Sequence, residues 1–182
     1  MKSAQNKILQ KGFTLIELLV VIGILGILAT ALVATIDPFE QLKKASDSNL
    51  KNAAVEFANA NLRYYTTHNA MPWHATGGVA GCGTAGAISA VALDAATGAP
   101  CVTGLIQDGE LKDQFDDDDN LTSKIVLTGD ATTEVNVCYL PTSKAEQRSP
   151  LTKFDSTGTE RAAGLCGVNG TDADNCYWCA AL

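Results

Sequence analysis

A single carboxylate, Glu17, interrupts an otherwise uncharged apolar run, Phe13 to Ile36, that reads FTLIELLVVIGILGILATALVATI. A carboxylate in such surroundings is costly unless a cation or hydrogen-bond donors meet it. Six cysteines, at 82, 101, 138, 166, 176 and 179, bring a second chemistry, and all lie beyond the run. Aspartates cluster twice, as Asp116-Asp117-Asp118-Asp119-Asn120 and as Asp172 and Asp174 in Gly170 to Trp178. Hard cations favour clustered carboxylates, so the first run is a candidate calcium loop, although it lacks the alternating spacing and central glycine of an EF-hand. Cys176-Tyr177-Trp178-Cys179 has C-x-x-C spacing, but the tail lacks the βαβ setting of a redox helix, and zinc would require a second such pair. The two histidines, His68 and His74, have no metal-ligand spacing to a cysteine. No Ser-His-Asp set, phosphate loop or paired-carboxylate site stands out, and the chain is expected not to be an enzyme.

The elements that position Glu17 begin with a short basic leader carrying Lys2, Lys7 and Lys11. It ends in Lys11-Gly12-Phe13-Thr14-Leu15-Ile16-Glu17, after which a helix over 13–36 would be about 36 Å long, enough to cross a bilayer's hydrocarbon. Cutting the chain after Gly12 would give Glu17 a cationic partner, the new ammonium of Phe13. This combination resembles the class III signal of type IV pilins and pseudopilins, which a prepilin peptidase cuts between Gly and Phe. Two other readings compete. In a secretory signal peptide the lysines form the basic region and Ala29-Thr30-Ala31 the cleavage site; in a plain anchor nothing is cut. They predict mature N-termini at Phe13, near Leu32, and at Met1, respectively.

The 182 residues leave about 115 beyond a spanning helix, enough for one small domain. Charge divides unevenly. Residues 13–68 are close to neutral, whereas 69–182 hold six basic and fifteen acidic groups, a net charge of −9. Such a surface tends to repel phosphates, so direct nucleic-acid binding is not expected. A basic leader is held in the cytoplasm by the positive-inside tendency, which places the cysteine-bearing part outside. An even number of cysteines in an exported domain reads as up to three disulfides, with fifteen pairings open. Crowding of Cys166, Cys176 and Cys179 favours at least one bridge at the tail.

After Asp37-Pro38 the pattern changes. Leu50, Ala53, Ala54, Phe57, Ala60 and Tyr64 share one helical face, with Lys43, Lys44, Asp47, Lys51, Glu56 and Arg63 at other positions. Pro38 predicts a kink or a fresh first turn, and Asn69 and Pro72 are stop signals near Thr67. Residues 71–104 are Gly- and Ala-rich and read as a long loop with a short helix around Ile88 to Asp94, ordered by a bridge such as Cys82 to Cys101. Lys124 to Thr128 and Glu134 to Leu140 flank a turn-rich gap suited to a hairpin, the second strand burying one face. A strand including Lys153 to Asp155 and an edge strand at Cys176 to Ala180 complete the pattern, and no internal repeat is evident.

The pilin resemblance implies an α+β fold of lollipop form, a long N-terminal helix packed on a small antiparallel β-sheet head. Its parts are a leader, 1–12, removed on processing; a filament-core helix, 13–36; an amphipathic half, 37–68; and a disulfide-bearing head, 69–182. It implies cleavage between Gly12 and Phe13, N-methylation of Phe13, and pairing of Glu17 with a neighbour's amino terminus that sets the stagger in a type IV pilus. The partners it implies are the prepilin peptidase, inner-membrane assembly machinery and other pilin subunits. The protein would start as a single-pass inner-membrane precursor and finish in an extracellular filament. Two departures stand out. No proline lies within the apolar run, so any unwinding is expected between Gly23 and Pro38, unless Gly23 and Gly26 instead admit close helix approach. The tail at Asp172 and Asp174 is similar to the C-terminal calcium loop of major pseudopilins, which favours a type II secretion pseudopilus as the rival. A secreted redox or metal-binding protein using Cys176 and Cys179 is the rival from another class.

Overall fold

The computed structural model describes residues 12–35, 37–83, 86–130, 133–162, 164–167, 170 and 175–181. The chain divides into two compact units, Met1–Pro38 and Phe39–Leu182.

The first unit is built on α1, Leu15–Thr35. Every described side chain of this helix is exposed, and Leu15–Val33 is the one stretch among the described residues long and apolar enough to cross a membrane. Its 21 residues give about 30 Å, the thickness of a bilayer's hydrocarbon core. A helix satisfies its own backbone in lipid, and the hydroxyl of Thr30 closes onto Ile27 O at 2.8 Å. In this single chain α1 runs unbroken through Gly23 and Gly26. Pro38 opens the next helix, where its missing N–H costs nothing.

The second unit takes one side of its core from α2, Pro38–His68. The stripe Leu50, Ala53, Ala54, Phe57, Ala60 and Tyr64 is buried, and the helix stops at Asn69, whose φ of 51° and N–H to Tyr65 O at 2.8 Å make an αL cap. One charged residue off that stripe is buried as well. Asp47 is fully buried, and its carboxylate accepts from Thr142 N and Oγ1 and from Ser143 N and Oγ, at 2.6–3.1 Å. Nearby, Glu40 Oε2 accepts from Lys144 N at 3.1 Å. The start of the short helix α5, Lys144–Gln147, is thus held by two acids one heptad apart on α2.

The sheet has five antiparallel strands: β1 Ile88–Ala92, β2 Ile125–Gly129, β3 Val135–Tyr139, β4 Thr152–Phe154 and β5 Tyr177–Ala181, in the order β1-β2-β3-β5-β4. The β2–β3 hairpin forms with Ile125 opposite Tyr139 and Gly129 opposite Val135. Three expectations are corrected. The segment from Ile88 is a strand, not a helix; it pairs with β2 around a bulge at Ala90, whose φ is 49° and whose N–H meets Thr128 Oγ1 at 2.9 Å. The tail strand lies inside the sheet, between β3 and β4, with Cys179 opposite Cys138. Consequently β3 is buried on both faces, with Asn136 and Cys138 covered as well as Val135, Val137 and Tyr139.

The Gly- and Ala-rich stretch also contributes more than a loop. It contains α3, Ala99–Gln107, with Pro100 in its first turn and Cys101, Val102 and Leu105 buried. Gly104 lets the helix lie against Val79. Met71 and Trp73 join the same core as Phe57, Ile125 and Leu127, so this region adds large side chains, not only small ones. Trp73 is 1% exposed and donates from Nε1 to Asp130 O at 2.7 Å, its ring lying where a side chain on Gly129 would be. Gly129→Ala should therefore destabilise the fold by about 2 kcal/mol, because a close-packed indole has no room to yield. Urea titration of detergent-solubilised protein, followed by tryptophan fluorescence, reads this directly.

Candidate functional site

Gly12 and Phe13 are exposed ahead of α1. A Cβ on Gly12 would meet nothing within 4 Å, so the chain's own packing does not demand glycine there. Thr14 and Glu17 form a reciprocal cap. Glu17 Oε2 accepts from Thr14 N at 2.9 Å and from Thr14 Oγ1 at 2.7 Å, while Glu17 N donates to Thr14 Oγ1 at 3.3 Å. This is a capping box, and its signature, Thr-x-x-Glu before an apolar run, stands in the sequence although it had suggested no role for Thr14. Glu17 remains exposed, and among the described residues no cation reaches it. With Phe13, Ile16, Val20 and Val21 it lines a shallow depression on the helix surface. The carboxylate is thus oriented by its own first turn through Oε2, which leaves Oε1 open to a second group.

Residues 8–33 match the family model described as the prokaryotic N-terminal methylation motif. The chain carries the class III signal of type IV pilins and pseudopilins. No curated protein and no solved structure matched the chain. The motif supports a type IV pilin-like or pseudopilin precursor and points to a structural subunit in place of an enzyme. One apolar N-terminal helix carrying this signal fits a membrane-anchored precursor. The match covers the cleavage and span region; the basic leader, residues 1–11, lies outside the described residues.

Beyond this pilin-type signal, the structure pairs Cys82 with Cys101, Cys138 with Cys179, and Cys166 with Cys176. Cys176 and Cys179 thus bond to different partners, and no cysteine remains free. A dithiol or a zinc thiolate centre at the C-x-x-C has no thiols to use. The first bridge pins α3 to the loop after Trp73, the second crosses the sheet, and the third ties the chain ahead of β5.

The acidic run does not converge on a point. It follows a 3₁₀ turn, Asp113–Phe115, and leads into the short helix α4, Asp119–Thr122, where Asp118 Oδ1 caps Asn120 N at 3.0 Å. Among the described residues no three carboxylate, cysteine or histidine groups gather as a metal site. Asp172 and Asp174, the tail calcium candidates, lie outside the described residues. His68 stacks on Tyr64 with ring centroids 4.0 Å apart and faces Asp108 at 3.6 Å. Burial, and then the charge of Asp108, push the Tyr64 phenol up, and its hydroxyl donates to Gly77 O at 3.0 Å. These groups fasten the end of α2 and assemble no reactive centre.

Proposed function

We propose that this chain is a prepilin, cut between Gly12 and Phe13 by a prepilin peptidase, N-methylated on Phe13, and polymerised into a type IV pilus. The observation that carries the reading is the methylation motif placed at the head of an apolar helix exposed on every side, with Glu17 in its first turn. Before assembly the helix lies in the inner membrane; afterwards copies of it bury one another in the filament core. Glu17 is then the assembly register, met by the ammonium of a neighbouring Phe13. In an apolar bundle only the stagger that pairs the acid is favoured. The acidic, disulfide-bearing unit faces outward, and the partners are the assembly machinery and further copies of the subunit.

The test is N-terminal sequencing and intact mass of the protein purified from its host. A mature start at Phe13 bearing one added methyl group is expected. A start near Leu32, or an intact Met1, would overturn the reading. Gly12→Val should leave only the precursor, since the peptidase and not the fold requires a small residue there. A type II secretion pseudopilus shares this processing, and the alternating Asp172 and Asp174 before Trp178 favour it. Long extracellular fibres in electron micrographs distinguish the pilus.

A further inference from the structure

None of residues 38–46 is buried, although α2 faces the core from Asp47 onward. Phe39 is 73% exposed and Leu42 68%, and three-residue spacing places them on one face of the helix. Lys43 and Lys44 follow them. Lys43 lies 3.6 Å from Glu40, and Lys44 makes no ion pair among the described residues. This is an apolar knob with a basic shoulder.

About 15 Å further along the same helix lies its complement. A groove of ≈ 340 Å³ opens between α2 and the segment 112–121, with Ala53, Phe115 and Leu121 among its lining residues. Phe115 stacks on the buried Phe57, ring centroids 5.8 Å apart, so the groove wall is anchored in the core while remaining half-exposed. Asp118 is on the rim, and Asp116, Asp117 and Asp119 stand exposed beside it, without an ion pair among the described residues. The one lysine at this groove, Lys112, is taken by Glu56 at 3.5 Å.

We propose that Phe39 and Leu42 of one copy of this chain seat in the groove between α2 and residues 112–121 of the next, with Lys43 and Lys44 against its Asp116–Asp119 run. The inference rests on the assembly reading above and assigns it a second contact, outside the apolar helix. Knob and groove are different patches on one molecule, so a head-to-tail contact leaves each copy's other patch open to the next, and the contact repeats along a filament. A reciprocal two-fold pair would use both patches of both copies at once and stop at a dimer, an outcome that a ladder of multimers distinguishes from a repeating contact.

The full-length chain is expressed in a host with the assembly machinery but no pilin of its own. All six native cysteines are in disulfides, so Leu42→Cys with Leu121→Cys supplies the only thiols. Sheared filaments treated with a short bismaleimide should give a ladder of covalent multimers on denaturing gels. Leu42→Cys paired with the exposed Leu151→Cys should give none. Lys44→Glu should lower filament yield about tenfold, and adding Asp117→Lys should restore it. Filaments without the ladder, an equal ladder from the control pair, or no restoration would each overturn the docking while leaving the assembly reading intact. No filaments from the unaltered chain would overturn the assembly reading, and the docking with it.

Discussion

Glu17→Gln and Glu17→Ala should both be processed at Gly12 and should both fail to build filaments, with yields down about a hundredfold. The pair of substitutions separates the capping role that the structure shows for this carboxylate from the assembly register proposed for it. As half of a capping box with Thr14, Glu17 stabilises the first turn of α1. Glutamine serves that role, since its side-chain oxygen accepts the same Thr14 N–H and hydroxyl. It does not serve the second role, because a neutral amide offers a neighbour's ammonium no opposite charge. A filament count tracking charge, with Gln as damaging as Ala, identifies Glu17 as the register. Normal filaments from Glu17→Gln would reduce it to a cap. Thr14→Val supplies the reciprocal control: it removes the hydroxyl of the cap but leaves the acid, and should cost far less assembly than either Glu17 change. Immunoblots of cell and sheared fractions, with N-terminal sequencing of the cell-bound protein, read cleavage and assembly separately.

What was legible in the chain was local or periodic. An all-apolar run has one reading as a helix, and Leu50, Ala53, Ala54, Phe57, Ala60 and Tyr64 point one way because 3.6 residues per turn leave no other choice. The hairpin at 125–139 shows in alternation and a turn-rich gap. The features that escaped depend on residues far away in sequence. Asp47 reads only as a charge off the apolar stripe, and its burial depends on Thr142 and Ser143, about ninety-five residues on, which bring four donors to it. β5 reads as an edge strand, and only the cross-strand Cys138–Cys179 pair places it inside the sheet. α3 hides behind Gly and Ala, weak signals in isolation, and is fixed by the bridge from Cys101 to Cys82 and by Val79 against Gly104. The capping box of Glu17 is the exception. It is written in four adjacent residues, and the buried-charge reading of Glu17 overshadowed it.

Asp47→Ala should be the most destabilising single change in the second unit, lowering unfolding free energy by about 3 kcal/mol. The argument is one of stranded donors. The wild-type carboxylate takes two backbone N–H groups and two hydroxyls in a site closed to solvent. Alanine leaves a void and those donors unmet, and the backbone pair cannot rotate away. The costs should fall in order. Ser143→Ala loses its bond to Asp47 and also the N-cap to Glu146 N, and should cost about 1.5 kcal/mol. Thr142→Val removes one hydroxyl bond and should cost about 1 kcal/mol. Asp47→Asn is not a mild change here, because an amide turns two N–H donors toward a cluster of donors. It should approach the alanine value. The neighbourhood supplies its own reporter, since Lys51 lies 5.0 Å from the Trp178 ring and 3.8 Å from Glu146 on the helix that Asp47 holds. Urea titrations of the solubilised protein should show the Trp178 environment lost at lower denaturant in the order Asp47→Ala, Ser143→Ala, Thr142→Val. Equal midpoints for Asp47→Ala and the wild type would mean that α5 is held by Glu40 and the β3 connection alone. A double-mutant cycle between Asp47→Ala and Ser143→Ala should show costs well short of additive, because both changes remove the same bonds.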